Sequence, residues 1–169
     1  MTSELHEVAR FIAPLQRVPG SRMAMLGADE IEIVKDLQEY ETELVVERDT
    51  TGNIVGTAGL DFDEPLHRGF LYGPWSIDDG WKERAARLFE RVLAAAPADT
   101  QNIDCAFDIE NLRAAAFADE HGFELVRDHF TMGFSRGDHK LEPDPDIGAM
   151  SSEDLSKVME LHERCFEGT

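Results

Sequence analysis

The stretch Asn111-Leu112-Arg113-Ala114-Ala115-Ala116-Phe117-Ala118-Asp119-Glu120-His121-Gly122-Phe123 decides the fold. Its asparagine suits a helix start, where a short polar side chain accepts the free amides of the first turn. Its glycine suits a helix end, where a residue must enter the left-handed region. The spacing therefore predicts a helix over 111–121. Just before it, Ile103 to Phe107 is short and apolar, in the manner of a buried strand. Just after it, Glu124 to Phe134 has room for one or two more strands.

Working back towards the N-terminus, residues 80–96 place Ala85, Leu88, Phe89 and Val92 along one helical face, and Pro97 ends that helix. Strands are expected at Leu44 to Glu47, at Ile54 to Ala58 and at Arg68 to Trp75. The first two are joined through the turn cluster Asp49-Thr50-Thr51-Gly52-Asn53, which makes them a hairpin. Two helices precede the strands. Residues 3–17 carry Leu5, Val8, Ala9, Ile12 and Leu15 at helical spacing, with Pro14 expected to bend or end the helix. Residues 28–40 carry Ile31, Val34 and Leu37 behind an acidic first turn. This order describes an α+β domain with a mixed, mostly antiparallel sheet flanked by helices on both faces.

The 111–123 segment resembles the pattern N-x-x-A-x-x-x-Y-x-x-x-G-F of the GNAT superfamily of N-acetyltransferases. It follows a buried strand and precedes a segment with Met132-Gly133-Phe134, as in that family. Upstream, Gly73-Pro74-Trp75 ends a strand that runs directly into a helix. The resemblance covers roughly residues 44–134. It divides the chain into a GNAT-like domain over 1–135, a proline-containing linker over 136–146 and a tail over 147–169. The tail looks like the opening strand and helix of a second copy, with Ile147 to Met150 as the strand and Ser151-Ser152-Glu153-Asp154 opening the helix. Two arrangements fit. The chain is the first half of a tandem GNAT protein, or the tail strand fills the sheet edge left vacant by a missing opening strand. In the second case exchange between chains would make a homodimer through residues 147–169.

The resemblance implies acetyl-CoA as cofactor and a primary amine, on a small molecule or a peptide, as acceptor. It places the cofactor beside Trp75 and Ser76, at the helix start Lys82, Glu83, Arg84 and Ala85, and against Asn111 and Phe117. The physical basis is an anion held on unpaired helix amides with glycine allowing close approach. Three positions depart from the family. Gly80 stands where Gln or Arg is expected, Glu83 where its first glycine is expected, and Phe117 where its usual acid, a tyrosine, is expected. Phe117 has no proton to donate. Asp61, Asp63 and Asp108, each near a strand end, are the candidate bases; each can equally be a solvated carboxylate. The alternative function is a non-catalytic GNAT-like domain that supports or regulates a catalytic partner copy.

Charge narrows the partners. Thirty-five acidic residues against sixteen basic ones give a net charge of −19. Such a field repels nucleic acid and anionic membrane, and opposes any anion unless a local site overrides it. No stretch approaches the roughly 20 apolar residues of a membrane helix, and the N-terminus lacks a signal peptide's basic start and apolar core. The six histidines show no metal spacing. Cys105 and Cys165 stand far apart and read as reduced thiols of a cytoplasmic protein. Trp75 is either a pocket wall or a core aromatic.

Overall fold

The computed structural model describes residues 2–77, 80–128, 148 and 151–165. The chain divides into two compact units, Met1–Val126 and Arg127–Thr169.

The first unit begins with α1 (Thr2–Gln16) and α2 (Glu30–Glu39). Pro14 lies inside α1, and the helix continues two residues beyond it. Proline here lacks the N–H that would donate to the Arg10 carbonyl, and the helix ends within a turn of it. Asp29 caps α2 by accepting the amides of Ile31 and Glu32 at 2.9 and 3.0 Å.

The sheet has four strands in the order β1 (Glu43–Arg48), β2 (Ile54–Asp63), β3 (Arg68–Ser76) and β4 (Asn102–Cys105). β1–β2 and β2–β3 are antiparallel, and β3–β4 is parallel. The fold is thus α+β with a mixed, mostly antiparallel sheet. β2 runs five residues past Ala58, because Gly59 to Asp63 find partners on β3. β4 stops two residues short of Phe107, for a reason that bears on the site. Residues 124–128 form no strand, and the rest of the expected ribbon lies outside the described residues.

Each face of the sheet has its own core, because neighbouring side chains on a strand point opposite ways. Tyr72 and Trp75 pack with Val8, Ile12, Ile33 and Leu37 of α1 and α2. Leu71, Leu60 and Ala58 pack with Leu88 and Val92 of α3 (Trp81–Ala95) and Phe117 of α4 (Leu112–Glu120). Full burial of each large apolar side chain stabilises the fold by about 1.5–3 kcal/mol.

In the second unit, α5 (Leu155–Cys165) follows a short 3-10 turn over Ser152–Asp154. Ser151 and Asp154 form a reciprocal capping box. The expected strand at Ile147 to Met150 lies outside the described residues apart from Gly148, as does the whole 136–146 linker. Among the described residues, no helix is long and apolar enough to cross a membrane.

Candidate functional site

β3 and β4 begin as partners and then separate. Their parallel ladder runs from Arg68↔Asn102 to Leu71↔Cys105. Beyond that, β3 continues to Ser76 against β2 alone. The far end of β4 takes a different neighbour, the segment Arg22 to Ala24. Met23 bridges Phe107, the Ala24 amide donates to Ala106 O at 2.9 Å, and the Asp108 amide donates to Arg22 O at 3.2 Å. This switch of partner is why β4 ends early.

The separation coincides with a bulge in β3. Thr57 faces Trp75 and Gly59 faces Tyr72, so two steps on β2 match three on β3. The extra residue falls at Gly73-Pro74. Gly73 has φ +86°, and a Cβ there would lie 2.7 Å from Cε3 of Trp75. Only glycine allows both the turn and the indole against it. Pro74 contributes no N–H, which a bulged strand tolerates and a regular ladder would not.

Where the strands part lies a slot of about 20 Å³, lined by Leu15, Gly20, Ser21, Pro74, Trp75, Ser76, Trp81, Asn111 and Arg113. That is room for about one water molecule. Three of its polar side chains have partners. Ser21 Oγ donates to Leu15 O at 2.7 Å. Ser76 Oγ accepts from Arg84 Nη1 at 2.7 Å. Asn111 Oδ1 accepts the Ala114 amide at 3.1 Å, while Nδ2 donates to Arg22 O at 3.2 Å. Trp75 differs: it is 1% exposed, and its buried Nε1 has no partner. Leaving a buried donor unpaired costs about 1–3 kcal/mol.

The positions implied as a cofactor loop surround the N-terminus of α3. The amides of Trp81, Lys82 and Glu83 precede the first helical bond, which the Arg84 amide makes to Gly80 O at 3.1 Å. Glu83 is exposed in this turn. Lys82 Nζ is 2.6 Å from Glu120. Arg84 lies over Gly56, where a Cβ would meet its Cδ at 2.4 Å, and Nε reaches Glu47 at 3.1 Å. Arg87 meets the same carboxylate at 2.7 Å. Hydrogen bonding from Arg87 acts most strongly on Glu47; burial opposes it and Arg84 adds to it, so the carboxyl is held below its usual range. Ala85 is fully buried beneath the helix. Phe117 is 4% exposed and sits edge-on to Trp81 and Phe89.

The candidate bases are divided between two places. Asp108 is near the slot, but it pairs with Arg22 at 3.2 Å and accepts the Glu110 amide at 3.0 Å. Asp61 and Asp63 line a cavity of about 200 Å³ with Leu66, Arg68, Gly69, Phe70 and Asp104. Arg68 and Asp104 pair across it. Partial burial, with the charge of Asp63, pushes the Asp61 carboxyl up. Asp61 faces Phe70, four residues before Pro74. At about 3.3 Å per residue that is about 13 Å along the strand, beyond the ~3 Å over which a base takes a proton directly. Among the described residues, no group of three or more His, Cys, Asp or Glu side chains could hold a metal.

No local spacing marks Leu15, Gly20 and Ser21 as lining the slot, because they meet Asn111 only through the fold. The Gly-Pro pair inside a strand was a legible sign of the bulge.

No protein-family model matches this chain, and no curated protein matches it. Among solved structures it is similar to YycN of Bacillus subtilis, described as a candidate acetyltransferase. The two share 14% identity with a TM-score of 0.48, over 80% of this chain and 92% of that one.

Proposed function

We propose that this domain binds acetyl-CoA at the parting of β3 and β4 and transfers the acetyl group to a primary amine. The observation that carries the reading is the juxtaposition at that point of a strand bulge, the slot and the N-terminus of a 15-residue helix. Free amides and the helix dipole at α3 suit a phosphate. Trp81, Lys82 and Glu83 would hold the pyrophosphate through their amides, and Pro74 to Ser76 would flank the pantetheine arm. When bound, acetyl-CoA supplies an activated acyl group. The chain supplies position and exclusion of water, which alone accelerate a direct transfer. A slot of about 20 Å³ does not admit the arm, so entry requires the Pro19–Ser21 turn to yield.

A second reading rests on the same closure. With the slot shut, and Lys82 and Arg84 held by carboxylates, the domain suits a non-catalytic role beside a catalytic copy. Calorimetry separates the two. Saturable acetyl-CoA binding at micromolar strength supports the enzyme, and no heat at millimolar concentration transfers the conclusion to the supporting domain.

A further inference from the structure

One wall of the closed slot is tied more weakly than the others. Gly20 and Ser21 belong to the turn that follows α1, while the rest of the lining comes from Leu15 of α1, from β3 and from the starts of α3 and α4. Among the described residues, the hydrogen bonds of Val18 to Ser21 run only between residues 15 and 22. The Val18 amide donates to Leu15 O at 3.2 Å, the Ser21 amide to Val18 O at 2.9 Å, and Ser21 Oγ to Leu15 O at 2.7 Å. None of them crosses the slot to β3, α3 or α4. Val18 is 53% exposed, so the turn also buries little apolar surface.

The stem beneath the turn is the opposite. Gln16 and Met23 are 1% and 2% exposed and bond to each other twice. Gln16 Nε2 donates to Met23 O at 2.8 Å, and the Met23 amide donates to Gln16 Oε1 at 2.7 Å. Arg22 O then holds the Asp108 amide and Asn111 Nδ2, each at 3.2 Å. A loosely held tip on a clasped stem opens locally, without unfolding what carries it.

We propose that residues 18–21 are a flap that gates the slot, hinged on the Gln16–Met23 clasp and latched by the Ser21 hydroxyl on Leu15 O. The inference rests on the acetyltransferase reading and adds regulation of that site. The closed slot of about 20 Å³ excludes acetyl-CoA, so the ligand takes only the open form. Its measured affinity is then the open form's affinity reduced by the fraction of chains that are open. Loss of one hydrogen bond from the closed form raises a minor open fraction about fivefold.

The intact chain is compared with Ser21→Ala, which lacks the latch. Relaxation dispersion on the ¹⁵N-labelled proteins reads the open fraction at the Val18 and Gly20 amides, with Met23 as the fixed reference. Calorimetry reads acetyl-CoA binding. Ser21→Ala is expected to raise the open fraction and the affinity by the same factor, about fivefold, and to leave Met23 unchanged. A hydroxyl that only supported the turn would give no gain in affinity on removal. If the open fraction rises while affinity stays or falls, the flap does not gate the slot: the inference falls and the acetyltransferase reading stands. If Val18 and Gly20 show no exchange beyond that of Met23 in either protein, there is no flap and the inference falls. If neither protein binds acetyl-CoA, the reading itself falls and takes the inference with it.

Discussion

Glu83 stands in the first turn of α3 with an exposed carboxylate, where the helix dipole favours it and an incoming phosphate meets it as a like charge. Neutralising it should tighten acetyl-CoA binding by about 0.3–1 kcal/mol, roughly two- to fivefold. Calorimetry on Glu83→Gln is the measurement, and unchanged or weaker binding would place the phosphates elsewhere. Asn111 is the opposite kind of residue, fully engaged with the chain itself. Its oxygen caps α4, and its nitrogen holds the Arg22 carbonyl at the point where Arg22 to Ala24 joins β4. Asn111→Ala should therefore lower stability in urea by about 1–2 kcal/mol. Asn111→Asp, which keeps the cap and loses the donor, should fall between the two. Equal stability of all three would mean that neither bond matters.

At the scale of elements, α3 is clamped onto β1 through one carboxylate. Glu47 receives Arg84 and Arg87, and Arg91 donates to Val46 O of the same strand at 3.0 Å. Glu47→Gln should cost about 1 kcal/mol at neutral pH. Because the arginines lower the folded-state pKa of Glu47 from 4.5, its contribution is complete above that value. It is lost as pH falls through the lowered value, so the wild-type and variant melting curves should converge in acid. A constant gap at all pH values would contradict the clamp. Amphipathic spacing is visible along a chain, which is why α3 and α4 could be read, with Asn111 as cap and Gly122, at φ +75°, as terminator. The β1–β2 hairpin could be read from its turn residues. The partner switch of β4 could not be read, because it depends on Met23 meeting Phe107 across more than eighty residues of chain. Nor could the engagement of Arg84: its charge is legible, but Glu47 and Ser76, which hold it, come from two different strands. Pairing between distant residues is a property of the fold rather than of local spacing, and the candidate site is built almost entirely from such pairs.

At the scale of the whole molecule, the net charge of −19 acts on any anionic ligand before it reaches the slot. A unit charge at about 20 Å contributes about 0.2 kcal/mol in water. Nineteen such charges oppose each negative charge on a ligand by about 4 kcal/mol before screening. The Debye length is about 30 Å at 0.01 M salt and about 8 Å at 0.15 M, so most of that opposition is present in the first condition and removed in the second. Local attraction would give the reverse dependence, since basic side chains that bind phosphate lose strength as salt rises. Here Lys82 is matched by Glu120 and Arg84 by Glu47, and what remains for a phosphate is Arg113 of the slot's lining and short-range contact with backbone amides. The long-range repulsion therefore dominates the salt response. Acetyl-CoA should bind at least about tenfold more tightly at 0.15 M than at 0.01 M sodium chloride at constant pH. Calorimetric titrations across that range decide the matter: affinity that falls with added salt would mean that free basic side chains, and not the amides of α3, make the site.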